Sequence, residues 1–148
     1  MDFLKKLFGI KKPAFPGIVA AKVIDVQKHP NADRLRVVKL DIGERVIEPA
    51  GQAVSIVEPV VCGANNFTVG DMVVLALPGA TIPQNIHDEK HEPFVLEKAK
   101  IRGIESQGMI CAAFELALGP LEDKPEILIL KPDTRPGSQF NPDMIQAR

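Results

Sequence analysis

Aromatic residues are scarce in this chain of 148 residues, which has no Trp, no Tyr and only seven Phe. Proteins that grip unpaired bases stack them on aromatic rings, and this composition leaves no row of such platforms. Cysteine is limited to Cys62 and Cys111. Their wide separation gives neither a disulfide framework nor zinc-ligand spacing, and fits two buried reduced thiols. No apolar run approaches the ~20 residues of a membrane-spanning helix. The start of the chain also lacks the apolar core and small-residue cleavage site of a signal peptide. The expected setting is the cytoplasm, with no membrane partner.

Catalytic apparatus is missing as well. Ser106 sits in Ile104-Glu105-Ser106-Gln107-Gly108, and a nucleophile elbow would need glycine where Ile104 stands. The run His87-Asp88-Glu89-Lys90-His91 lies between Pro83 and Pro93. A zinc-protease helix would need glutamate where Asp88 stands, and the two prolines oppose a ligand-presenting helix. His29 has no cluster of ligand residues near it in sequence, so it reads as a turn histidine in reach of a ligand phosphate rather than as a catalytic group or a metal ligand. The expectation is a binding module with no catalytic residue, no metal and no cofactor.

Cations are absent from Val46 to Glu89, which holds five Asp/Glu, while residues 1–45 hold ten Lys/Arg against five Asp/Glu. The net charge of −1 hides this segregation, and what matters is which basic residues share a face. In Leu96 to Cys111, alternation sets Lys98, Lys100 and Arg102 on one side of a strand and Ala99 and Ile101 on the other. Glu105, Ser106 and Gln107 form a polar tip beside this stripe. Cations with neutral hydrogen-bonding groups suit a phosphodiester backbone; the same pattern also serves as the solvated face of a sheet. Lys22, Lys28, Arg34, Arg36 and Lys39 join the site if the first third of the chain folds onto the same face.

The remaining pattern is one of short strands. Gly17 to Gln27 is a first strand whose phase slips near Ile24, as at a bulge. Lys28 to Arg34 is a polar turn, and Leu35 to Ile42 a second strand stopped by Gly43. Arg45 to Pro59 holds a hairpin or an inserted loop, with Val60 to Cys62 and Asp71 to Leu77 as further strands. Ala112 to Leu118 reads as a short helix, Glu126 to Leu130 as a last strand and Lys131 to Arg148 as a Pro/Gly-rich end. Asp2 to Ile10 has the spacing of a short amphipathic helix, suited to capping the domain, to a partner subunit or to a membrane surface. The fold class expected is all-β, a small barrel or sandwich.

Four blocks then stand in a telling order: His29-Pro30-Asn31-Ala32-Asp33-Arg34-Leu35, Val61-Cys62-Gly63-Ala64-Asn65-Asn66, Ala76-Leu77-Pro78-Gly79-Ala80, and Lys98 through Cys111. In these blocks the chain resembles the OB-fold tRNA-binding domains found in the phenylalanyl-tRNA synthetase beta chain, at the C-terminus of methionyl-tRNA synthetases, in the EMAP II cytokine and as free-standing proteins. The resemblance implies a five-stranded Greek-key OB barrel with short peripheral helices, which recognises structured tRNA by shape and backbone contacts and performs no chemistry. It also implies a binding surface at Asn31, Arg34, Lys98, Lys100, Arg102, Ser106 and Met109, although by composition Met109 fits the core better. The domain is placed at 17–137, between a helix and linker at 1–16 and a tail at 138–148. The Lys-rich start in place of the usual opening of the synthetase beta chain favours a free-standing protein or a fragment. Partners are expected to be tRNA, with a homodimer or an aminoacyl-tRNA synthetase subunit as protein context; the alternative is an assembly module that binds little RNA of its own. The turn at Asn31 and the tip at Ser106 are expected to meet at one rim.

Overall fold

The computed structural model describes residues 14–47, 52–124 and 126–147. The amphipathic helix expected over Asp2 to Ile10 lies outside the described residues. Ten strands follow in order: β1 (Ile18–Lys28), β2 (Arg36–Ile47), β3 (Gln52–Cys62), β4 (Met72–Ala76), β5 (Thr81–Ile82), β6 (Phe94–Val95), β7 (Ala99–Ile101), β8 (Ile104–Ser106), β9 (Met109–Ile110) and β10 (Ile129–Leu130). Five form an antiparallel path in the order β10-β4-β1-β2-β3, and β9 adds to β4. The sheet curls toward closure where Val61 of β3 donates its N–H to Ser106 Oγ at 2.9 Å and Gln107 donates its N–H to the Pro59 carbonyl at 2.8 Å. The fold is all-β, with the architecture of an OB-like barrel.

β1 and β4 carry nearly unbroken apolar runs because they are covered on both faces. Val19, Ala21, Val23, Val73 and Leu75 point into the barrel with Val38, Leu40, Val60 and Ile110. The alternate residues Ile18, Ala20, Met72, Val74 and Ala76 pack outward against Ile82, Leu96, Leu116, Leu130 and Phe140. The slip in β1 occurs as expected, with the register against β2 shifting between Val23 and Asp25. This bulge lets one long strand serve two parts of the barrel.

Several boundaries differ from those read in the sequence. Gly43 does not stop β2: with φ of +64° and its N–H on Asp41 Oδ1 at 2.8 Å, it forms an irregularity through which pairing with β3 resumes at Arg45. β3 runs from Gln52 rather than from Val60, so the stretch before Pro59 is a strand in a long hairpin, whose residues 48–51 are outside those described. The helix expected over Ala112 to Leu118 is a single 3-10 turn, Phe114–Leu116, ended by Ala117 in the left-handed region at φ of +59°. A second 3-10 turn is Pro142–Met144. The end of the chain packs as part of the fold. Gly137 and Ser138 exchange backbone hydrogen bonds with Ala20, Phe140 bonds Ile18, and the Phe140 ring is 3% exposed against Phe15. An apolar ring that completes the outer core explains why residues beyond 137 are held.

Candidate nucleic-acid interface

The basic stripe is bent into a hairpin. β7 and β8 pair Ala99 with Ser106, Lys100 with Glu105 and Ile101 with Ile104, leaving Arg102 and Gly103 as a two-residue turn. Both have positive φ, +51° and +92°, the pattern of a type I′ turn that matches the twist of its flanking strands. The alternation of the strand holds for Lys100, which is exposed, and Ile101, which is half-buried, but not for Ala99, which is exposed at the open edge where β7 begins. Arg102 leaves that stripe and stands exposed at the tip, while Lys98 is exposed just before β7.

The β1–β2 turn meets this tip. His29 is 2% exposed; its Nδ1 accepts the Asn31 N–H at 3.0 Å and its Nε2 lies 3.1 Å from the Ile101 carbonyl. An N–H donating to Nδ1 assigns the ring proton to Nε2, which donates to Ile101. Asn31 Nδ2 donates to the Arg102 carbonyl at 3.5 Å. Asn31 therefore stands against the Arg102 tip, with exposed Lys28 at the end of β1 and exposed Arg34 where the turn leads toward β2. Lys39 pairs with Glu58 at 3.2 Å, whereas the hairpin cations pair with no carboxylate among the described residues.

Other expected site residues lie elsewhere. Ser106 is 4% exposed, and its hydroxyl donates to the Gly108 carbonyl at 2.9 Å while accepting from Val61. A hydroxyl used in both directions inside the barrel seam does not face solvent. The turn thus meets Arg102 and Gly103, and the loop at Ser106 belongs to the opposite, barrel end of the hairpin. Gln107 folds its Nε2 onto Glu105 Oε1 at 3.2 Å. Met109 is half-buried against the outer core. Arg36 donates from Nη2 to the Ala64 and Phe67 carbonyls at 3.0 and 3.2 Å, with its guanidinium 4.3 Å from the Phe67 ring centre. It braces the loop after β3. Lys22, exposed on β1, is six residues before Lys28, about 20 Å along an extended strand.

An open cleft of about 680 Å³ continues the surface beyond Arg34, lined by Asp33, Arg36, Asn65, Lys124 and Glu126 among others. Lys124 and Asn65 were not singled out in the sequence, where Lys124 stands in an acidic stretch with no periodic signal. His91 is turned inward on its own loop, its Nδ1 2.9 Å from the Asn85 carbonyl and its ring edge-on to Phe114. Cys62 and Cys111 are buried and unpaired. Desolvation pushes both thiols up, Cys111 well above its ordinary value, the opposite of what activates a nucleophile.

The family model described as "Putative tRNA binding domain" matches residues 18–139. The chain belongs to this family. It is 39% identical over 120 residues to the phenylalanine–tRNA ligase beta subunit of Syntrophotalea carbinolica, covering 81% of this chain and 12% of that protein. Against the beta subunit from Ralstonia nicotianae, identity is 42% over 128 residues, covering 86% of this chain and 14% of the relative. The chain thus spans about one-eighth to one-seventh of the length of these curated relatives. Its fold is also similar to the C-terminal domain of Plasmodium vivax p43, with a TM-score of 0.51 and 19% identity over 81% of this chain and 56% of that one. No helix among the described residues is long and apolar enough to cross a membrane.

Proposed function

We propose that this tRNA-binding domain grips folded tRNA through phosphate and ribose contacts made by the β7–β8 hairpin and the adjoining turn, and that it performs no chemistry itself. Lys100 and Arg102 supply the attraction, Lys98, Lys28 and Arg34 extend it, and Asn31 sets register as a neutral group. Arg102 carries the argument. It occupies a left-handed position, φ of +51°, where a non-glycine residue other than Asn or Asp costs roughly 1–2 kcal/mol, and where Asn-Gly is the favoured turn pair. A long cation kept at that cost, exposed and without a carboxylate partner among the described residues, fits a ligand-contacting role. The near-absence of aromatic residues directs the contact to the backbone of structured RNA rather than to splayed bases. The protein context is a synthetase beta-like chain or a second copy of this one, in the cytoplasm where tRNA is charged.

The test is binding of tRNA, single-stranded RNA and duplex DNA as a function of salt, for the parent and for Lys98→Ala/Lys100→Ala/Arg102→Ala. The parent should prefer tRNA. The triple variant should bind more weakly and lose a salt slope of roughly 0.7 to 0.9 for each phosphate contact removed. Unchanged affinity and slope would leave the assembly role as the better account.

A further inference from the structure

The hairpin is pinned to the rest of the protein at two ends. At its base, Ser106 and Gln107 bond β3. At its tip, the contacts are Asn31 to the Arg102 carbonyl, a long 3.5 Å, and His29 to the Ile101 carbonyl at 3.1 Å. Strands of three residues joined by a tight turn are marginal on their own, so the direction of the tip depends on these anchors.

We propose that His29 is a positioning residue for RNA binding: its ring locks the β1–β2 turn to the β7–β8 hairpin and so fixes where Lys100 and Arg102 meet the tRNA. This rests on the reading that the hairpin cations contact tRNA. One ring holds both sides. Nδ1 takes the Asn31 N–H, backbone N–H of His29 closes the turn on the Leu35 carbonyl at 3.1 Å, and Nε2–H reaches across to Ile101. The imidazole itself is buried, 2% exposed, so each of its bonds is harder to replace by water than one on the surface. A neutral ring with its proton on Nε2 is the one form that both accepts from Asn31 and donates to Ile101. His29 needs no contact with RNA: it sets the geometry of residues that have one.

Two substitutions divide the ring's work. In His29→Asn the side-chain oxygen stands near Nδ1 and keeps the turn bond, but the side chain is too short for Ile101. His29→Gln keeps the reach to Ile101 and sacrifices the turn bond. Affinity for tRNA is measured on each, in the parent and in Lys100→Ala/Arg102→Ala, at a temperature where thermal melts show every protein folded. His29→Asn should weaken binding about three- to tenfold, the worth of one hydrogen bond, His29→Gln less, and neither should weaken the cation-less background further. Equal losses from His29→Asn in both backgrounds, or none in the parent, would overturn the positioning role. Should Lys100→Ala/Arg102→Ala alone leave affinity unchanged, the hairpin reading itself fails, an outcome distinct from a failure confined to His29. Nitrogen NMR of the ring gives a check that needs no variant: the Nε2–H tautomer is expected, and a ring protonated on Nδ1 would contradict the lock.

Discussion

Ser106 and Arg102 belong to one short motif on one hairpin, yet they end in opposite environments. Ser106 is buried at the barrel seam with both directions of its hydroxyl occupied, whereas Arg102 stands in solvent on a backbone conformation that suits it poorly. The motif thus has a structural base and an outward tip. Residues near the base answer for stability and those near the tip for binding, so a substitution at the base should cost stability and spare affinity, while one at the tip should cost affinity without costing stability.

The largest effect is expected at the base. Ser106→Ala leaves the Val61 N–H without its partner in a buried seam, a loss of about 1–3 kcal/mol, read by urea or thermal unfolding. Affinity of the folded protein for tRNA should stay within twofold of the parent, because the Gln107 N–H still bonds the Pro59 carbonyl and holds the base of the hairpin in place. A variant that unfolds normally but binds tRNA poorly would erase the distinction between base and tip.

The tip should respond the other way. Arg102→Asn places Asn before Gly103, the favoured type I′ pair, and relieves a left-handed arginine. It should raise stability by up to about 1 kcal/mol while weakening tRNA binding and making its salt dependence shallower. Stability gained with affinity intact would mean that Arg102 is merely tolerated at the turn.

How much of this was legible in the sequence follows from what kind of signal each residue carries. Period-two alternation and apolar runs carry burial, so the strands, the bulge at Ile24 and the all-β fold could be read from them. Alternation also placed Lys100 outward correctly. It failed at Arg102, because a strand pattern continued past Ile101 hides a two-residue turn, for which Arg-Gly is not the usual signature. It failed at Ser106 because a small polar residue in a strand looks alike whether it faces water or satisfies a neighbouring backbone group. His29 escaped for a related reason: its partners are its own turn and Ile101, 72 positions away, and no local pattern encodes a bond of that separation. Phe140 showed the converse, a lone apolar residue in a Pro/Gly-rich end that completes the outer core.

The smallest effect concerns a group remote from both ends of the hairpin. Glu115 is buried in the 3-10 turn beside Cys111, with Oε1 accepting the Ala112 N–H at 2.8 Å. Desolvation raises its folded pKa above the ordinary 4.5, and the Ala112 hydrogen bond offsets part of that rise. As pH increases from about 4.5 through the raised folded value, the unfolded chain has already released this proton while the folded protein still holds it. Stability therefore falls across that window and levels off above it, since folding there must bury a charged carboxylate. Glu115→Gln keeps an acceptor for Ala112 and abolishes the titration. Its unfolding free energy relative to the parent should improve as pH rises through the window, by an amount that vanishes below 4.5. Affinity for tRNA at fixed pH and salt should be the same in both proteins. A stability difference that does not change with pH would show that Glu115 is not the titrating group, and an altered affinity would show that the outer core and the hairpin tip are not independent.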